Sequence, residues 1–354
     1  MIPNTLHRAS PIHRASPLHR ASPLHLLCPF HLLCVALSLI CLSSNGATQA
    51  QNQTQSVQPE SKRILFLGDS ITHAGGYIAS LEAAMKIQYP DQHPEFLNLG
   101  LPSETVSGLS EPGHAGGAFP RPDLHERLSR VLDQVHPDLV VACYGMNCGM
   151  YYPLSEERFA KFRSGIERLH DAVVKSGSNI IHLTPAYFDA LPIRDRLLPA
   201  GLPEYKQPYE KYDDVLEAYS QWLLKQREQG WIVLDVHGAM KSEVERQRKE
   251  TPSFTFAGDG VHPNAAGQAI IAGPLAKYWN LQLDPNALPT LRDGTPHPKA
   301  SEIFQKVSEK QNILKLSWLS TTKHVRPGIP SGVTLDQANE QAKQIDQDIQ
   351  QLLK

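Results

Sequence analysis

The chain is short of cysteine, of net basic charge, of phosphate-binding glycine loops and of clustered metal ligands. Each shortage removes a class of function. Of five cysteines in 354 residues, Cys28, Cys34 and Cys41 lie in the first fifty, so the rest keeps only Cys143 and Cys148. Two thiols make no disulfide framework, and they stand either as free or buried groups or as a single bridge. The formal net charge is -2, and Arg8, Arg14 and Arg20 meet no acid in the first fifty residues, which leaves the remainder about -5. Nucleic-acid partners ordinarily require a clustered basic face, so none is expected. No Gly-x-Gly-x-x-Gly or Walker loop follows any apolar burst, which removes the phosphate cradle of a nucleotide-binding protein. No short-spaced His/Asp/Glu cluster argues for a catalytic metal, and the expectation is an enzyme without cofactor or metal. The apolar run Leu32 to Leu42 is too short for a comfortable membrane span.

That run has another use. It follows three copies of His-Arg-Ala-Ser-Pro, at His7 to Pro11, His13 to Pro17 and His19 to Pro23, whose regular prolines and small residues have no apolar face to pack. A metal-binding role is the other use open to those histidines. A basic leader, a short apolar core and the small-residue exit from Ser43 to Ala50 together predict a secretory signal peptide, cleaved after Ala50 or Ala47. Neither Cys34 nor Cys41 follows a small residue, which argues against a lipoprotein anchor. The mature protein is expected to be secreted or periplasmic, with no stable membrane span.

Beyond a polar entry at 51–62, apolar bursts alternate with helical periodicity. Strands are expected at Ile64 to Leu67, Phe96 to Leu99, Leu139 to Cys143, Ile180 to Leu183 and Trp231 to Asp235. Helices are expected at Gly75 to Tyr89, Asp123 to Val135, Ser155 to Lys175, Glu210 to Gln229 and Asn264 to Trp279. Strict alternation predicts a parallel sheet covered on both faces, and right-handed crossovers over five strands give a flavodoxin-like three-layer α/β/α sandwich over 63–284. The region 285–354 reads as a Pro-rich linker up to Pro298 followed by helices at Ala300 to Leu316 and Leu335 to Leu353. The stripe Ala338, Ala342, Ile345, Ile349 and Leu352 on the last helix is expected to pack on the main body or on a partner chain.

Open α/β sheets place their sites outside the carboxyl ends of the strands, so the residues there carry the functional reading. Ser70 follows the first strand and is either a helix cap or a nucleophile. Gly100 follows the second and admits a close backbone approach or simply a turn. Asn147 follows the third, and Asp259 and His262 stand three apart before the last helix, where Asn264 is a natural N-cap. Together these residue types supply an acyl-transfer site. A serine hydroxyl needs a base, a histidine suits that task near neutrality, and an aspartate orients the second ring nitrogen. Backbone N–H groups at Ser70 and Gly100 and the Asn147 amide can donate to a tetrahedral oxyanion.

These blocks resemble those of the SGNH/GDSL hydrolases. Gly68-Asp69-Ser70-Ile71 is similar to that family's first block, Gly100 to its second, Gly145-Met146-Asn147 to its third and Asp259-x-x-His262 to its last, in family order between Arg63 and Trp279. The resemblance implies a serine ester hydrolase with Ser70 as nucleophile, His262 as base and Asp259 as its orienting acid, and with Ser70 N–H, Gly100 and Asn147 as oxyanion donors. It does not cover the tail. One departure is Cys148, where the family has an aspartate that braces the asparagine; a looser Asn147 is expected from it, and a cysteine nucleophile is the rival reading.

The loop from Gly100 to Pro122 is long and starts at an oxyanion-hole candidate, so it is expected to form one wall of the pocket. Thr184 to Tyr212 carries Tyr187 among other aromatics with polar tips, which suit sugar faces or the anchoring of a buried loop. Trp318, His324 and Arg326 in the tail are expected either to reach over the site and contact substrate or to be an anchor and a solvated basic turn. His73 and His114 are expected to be structural or substrate-contacting. The favoured substrate is a small-molecule or glycan ester, a short acyl group on carbohydrate foremost. A lysophospholipase or thioesterase is the alternative within the class, and a non-catalytic glycan-binding protein the alternative outside it.

Overall fold

A computed structural model describes residues 62–284 and 288–354. The signal peptide, the pentapeptide repeats and most of the polar entry lie outside these residues. Five strands form one parallel sheet in the order β2-β1-β3-β4-β5, the doubly wound order expected from the alternation. They are β1 (Arg63–Gly68), β2 (Glu95–Asn98), β3 (Leu139–Cys143), β4 (Asn179–Leu183) and β5 (Ile232–Leu234). The central strands β1 and β3 pair from Ile64 with Leu139 to Gly68 with Cys143. Ile64 to Leu67 and Val140 to Ala142 are almost wholly buried, because helices cover both faces of the sheet and leave no side for polar residues.

The helices are α1 (Ser70–Ala74), α2 (Gly76–Gln88), α3 (Leu124–Val135), α4 (Glu156–Lys175), α5 (Tyr212–Lys225), α6 (Val236–Arg248), α7 (Ala265–Tyr278), α8 (Ala300–Thr322) and α9 (Leu335–Leu352). Side-chain caps start several of them: Ser155 accepts from Arg158 N–H at α4, and Asn264 accepts from Gly267 N–H at α7, the cap role anticipated for Asn264.

Two elements differ from expectation. The helix after β1 is broken at Gly75, which takes φ 80°, so Ser70 opens a separate short helix. Helix α6, unforeseen, starts at Asp235, whose carboxylate accepts from Gly238 N–H; its weak apolar stripe hid it. The tail also differs. Helix α8 runs on to Thr322 and so includes Trp318, which the sequence places in a loop. Helices α8 and α9 pack on each other and on α2, where Ala79, Ala83, Ile87, Ile303, Val307, Ile345 and Ile349 form a second apolar cluster. The last helix thus packs on the main body. The expected linker is stapled as well: Gln88 Nε2 donates to Thr290 O at 2.8 Å and Arg292 Nε donates to Gln88 O at 2.6 Å.

Candidate active site

Ser70, Asn147 and the Asp259–His262 loop all stand at the carboxyl edge of the sheet, after β1, after β3 and before α7. Ser70 is half-buried, and its Oγ lies 2.8 Å from His262 Nε2. His262 Nδ1 lies 2.6 Å from Asp259 Oδ2. Asp259 Oδ1 meanwhile accepts from the N–H groups of Val261 (2.9 Å) and His262 (2.8 Å). Burial raises the Asp259 carboxyl, but those N–H groups and the imidazole outweigh it and hold it below the usual carboxylate range. An ionised Asp259 fixes the ring proton on Nδ1, which leaves Nε2 as an acceptor facing the serine hydroxyl.

Three distant segments meet there because each is anchored. Asp69, buried beside Ser70, caps α1 by accepting from Ile71 N–H at 3.0 Å; burial pushes its carboxyl up to about 6. The histidine loop is held by the loop after β4. Asp189 N–H donates to Gly260 O at 2.9 Å, and a Cβ on Gly260, which has φ 82°, would stand 2.7 Å from Asp189 O. The Asp189 carboxylate is in turn gripped by Arg248 Nη2, at 2.7 Å to both oxygens. Asp189 and Arg248 are supports that sequence reasoning missed, since residues 59 apart carry no shared motif.

Gly100 is corrected as an oxyanion donor. Its N–H is taken by Asn98 Oδ1 at 2.9 Å. It is glycine because a Cβ there would stand 2.5 Å from His73 N and 2.8 Å from Thr72 C, so it lets α1 seat against the end of β2. Beyond it, Leu101 N–H goes to Gly68 O, Glu104 N–H goes to Leu101 O, and Pro102 has none. Ser103, at φ 69°, keeps an N–H with no partner among the described residues. The left-handed backbone that would have flagged a glycine is carried here by serine, which conceals it from the sequence.

Asn147 is buried, and its orientation is set at both ends. Oδ1 accepts from Arg121 Nη1 at 2.9 Å and from Tyr151 O–H at 3.3 Å, while Nδ2 donates to Glu104 O at 3.3 Å. The looseness expected from Cys148 is therefore replaced by a brace from Arg121, which the sequence did not single out. Cys148 is fully buried and burial pushes its thiol up to about 11, so it lacks the thiolate character of a nucleophile. Cys143 and Cys148 are both free, and the single bridge is not formed.

The substrate-contact expectations fare unevenly. Trp318 is buried in α8 within the main core. Tyr187 is half-buried with its ring 6.1 Å from that of His237, and no contact joins it to Ser70 or His262 among the described residues. His324 is half-buried, and its Nδ1 has no partner among the described residues. Arg326 does reach the loop after β2: Nε donates to Pro102 O at 3.1 Å and the guanidinium lies 5.1 Å from the Phe119 ring centre. His73 is structural, its Nδ1 lying 2.9 Å from Gly100 O; burial and the Lys315 ammonium depress its pKa to about 4. No group of three or more potential metal ligands occurs among the described residues.

Residues 66–270 match the model of the GDSL-like lipase/acylhydrolase family. Among solved structures, the chain is similar to a gut microbial diltiazem-metabolizing enzyme at 18% identity and a TM-score of 0.48, covering 65% of this chain and 50% of that one. It spans half the length of that enzyme. It is also similar to a catalytic mutant of an acetylxylan esterase from Geobacillus stearothermophilus, at 18% identity and a TM-score of 0.48 over 64% of this chain and 97% of the other. A further likeness is to a GDSL-like lipase described as putative from Parabacteroides merdae, at 16% identity and a TM-score of 0.44, covering 62% and 96%. No protein of curated function matches the sequence significantly. The family match spans more than half the chain and holds both the β1 turn and the Asp259–His262 loop: the chain belongs to the GDSL-like lipase/acylhydrolase family, and by class it is a carboxylic ester hydrolase.

Proposed function

We propose that the protein is an exported serine esterase that removes short acyl groups, acetyl foremost, from carbohydrate. Ser70 Oγ attacks the ester carbonyl as His262 Nε2 takes its proton. The protonated imidazole, stabilised by Asp259, then gives that proton to the departing alcohol, leaving an acyl-Ser70. Water, deprotonated by His262, releases the acid and restores the hydroxyl. The oxyanion is held by Ser70 N–H and an Asn147 Nδ2 hydrogen, with Ser103 N–H in the place first given to Gly100. The carrying observation is the relay itself, 2.8 Å from Ser70 Oγ to His262 Nε2 and 2.6 Å from Nδ1 to Asp259.

The short acyl group is supported by how open the site is. The His262 and Asp259 side chains are 54% and 52% exposed, so the relay opens directly to solvent. A long acyl chain gains affinity by burying methylenes, roughly 0.8 kcal/mol each, and a shallow site offers little such burial. It does leave room for a bulky, solvated alcohol such as a glycan. Export rests on the apolar run Leu32 to Leu42 and its small-residue exit.

Labelling with a fluorophosphonate probe, followed by identification of the modified peptide, tests the nucleophile, and the expected site is Ser70. A chain-length series of p-nitrophenyl esters tests the acyl group: preference for acetate is expected, and preference for long chains would favour a lysophospholipase or thioesterase. Hydrolysis that disappears in a folded Ser70→Ala variant excludes a non-catalytic glycan-binding protein, whereas hydrolysis that persists would remove Ser70 as the nucleophile.

A further inference from the structure

Arg121 carries a positive charge into the wall of the site, and no step of the acyl transfer uses it. It is 8% exposed, on the long loop between β2 and α3. Each of its three guanidinium nitrogens donates a hydrogen bond. Nε donates to Glu111 Oε2 at 2.6 Å, Nη2 to Glu111 Oε1 at 2.7 Å and Nη1 to Asn147 Oδ1 at 2.9 Å, and the plane lies 5.5 Å from the Tyr151 ring centre. The Glu111 carboxylate holds the Nε–Nη2 edge and Asn147 takes Nη1, so the guanidinium is committed to the wall of the site rather than offered as a fork to an anionic substrate. What remains is its effect on Asn147.

A carboxamide has two ends of nearly equal size, and only its neighbours decide which end faces the reaction. At Asn147 two donors, Arg121 and Tyr151, address the oxygen end, and Glu104 O accepts from the nitrogen end. Turning the amide over would set NH₂ against a guanidinium and a hydroxyl. A full positive charge on Oδ1 also draws electron density from the amide, which makes the remaining Nδ2–H a stronger donor.

We propose that Arg121, locked by Glu111, is a positioning residue for the esterase: it holds and polarises Asn147 so that Nδ2 faces the oxyanion. This rests on the Ser70–His262 reading above, and it assigns the Arg121–Glu111 pair to the family's usual brace after the asparagine, a position filled here by Cys148. Because Arg121 acts through Asn147, its removal cannot cost more in turnover than removal of the Asn147 donor itself, on the order of a hundred- to a thousandfold.

The test is a double-mutant cycle on p-nitrophenyl acetate hydrolysis. Arg121→Met is expected to lower kcat by about tenfold or more with KM changed by less than about threefold, and Arg121→Lys to recover part of the loss. In an Asn147→Ala background the same Arg121→Met change is expected to cost less than about twofold. Should Arg121→Met fail to fold, Glu111→Gln, which loosens the same guanidinium, carries the cycle in its place. An equal fold-loss with and without Asn147, or a loss confined to KM, overturns the proposal. A wild-type protein that neither hydrolyses the ester nor reacts with a fluorophosphonate at Ser70 would instead overturn the underlying esterase reading and this proposal with it.

Discussion

Replacing Asp259 by asparagine separates the two jobs its carboxylate performs. Oδ1 builds the turn by accepting from Val261 and His262 N–H, while Oδ2 accepts the His262 Nδ1 proton. An asparagine that keeps its oxygen on the two backbone donors turns NH₂ toward Nδ1. The ring must then carry its proton on Nε2, and it faces Ser70 as a donor instead of a base. The reverse orientation restores the base but sets NH₂ against two N–H groups and gives up two hydrogen bonds, at about 1 kcal/mol each. That gap of roughly 2 kcal/mol limits the competent orientation to about one molecule in thirty. Turnover should therefore fall at least about thirtyfold, and toward ten-thousandfold where the lost stabilisation of the imidazolium adds fully. Initial rates on p-nitrophenyl acetate, beside a thermal melt that shows the turn intact, measure it. A D259N variant within about fivefold of wild type would mean that Asp259 only shapes the loop, and the relay would be wrong.

Three other substitutions probe the frame of the site. Gly100→Ala places a Cβ 2.5 Å from His73 N and 2.8 Å from Thr72 C, both backbone, so α1 and Ser70 must move; a loss of about 1–3 kcal/mol in denaturant unfolding and a larger fractional loss of activity are expected, and normal turnover would contradict the close approach. The Asp69 carboxyl, raised from 3.8 to about 6 by burial, binds its proton more tightly folded than unfolded, so its contribution is most favourable below pH 3.8 and is lost as pH rises through 6. Asp69→Asn keeps the cap without the charge, so its stability advantage should grow between pH 4.5 and 8 toward roughly 3 kcal/mol, whereas a pH-independent difference would refute the buried carboxylate. Cys148→Asp should retain activity within about threefold, because the Val106 and Ser107 backbone and the Ser107 hydroxyl that contact the thiol can also serve a carboxylate; abolished turnover would return the thiol to the mechanism.

What the sequence made legible follows a physical divide. The five strands stood out because a strand buried on both faces must be apolar throughout, as Ile64-Leu65-Phe66-Leu67 and Leu139 to Cys143 are. Ser70, Asp259 and His262 were legible because their residue types are dictated by the chemistry and their positions by the ends of elements. The braces were not legible. Arg121, Glu111, Asp189 and Arg248 are common surface residue types, and only their partners, ten to fifty-nine positions away, make them part of the site. The left-handed turn at Ser103 was hidden because side-chain identity does not encode that backbone angle, and Gly100 drew attention for a conformational freedom it spends on packing. Trp318 was misplaced because a short polar stretch after Leu319 resembles a loop, while α8 in fact runs on with Thr322 donating back to Trp318 O at 2.7 Å.

The tail shows why family blocks alone do not define the working unit. The family match ends at residue 270, yet α8 reaches the back of the site from beyond it. Lys315 Nζ, 8% exposed by residue, donates to His73 O at 2.9 Å across 242 positions of chain, at the last turn of the helix that carries Ser70. Gln311 Nε2 donates to Phe96 O in β2 at 2.8 Å, and Arg326 Nε donates to Pro102 O one residue before Ser103. A five-residue helix has too few internal hydrogen bonds to fix its own position, since nucleation costs more than the first turn returns. The position of the Ser70 hydroxyl is therefore set from outside α1: by Asp69 at its start, by Gly100 along its flank and by Lys315 at its end. The conformational precision that acyl transfer demands is in this way distributed over the whole described chain, extension included.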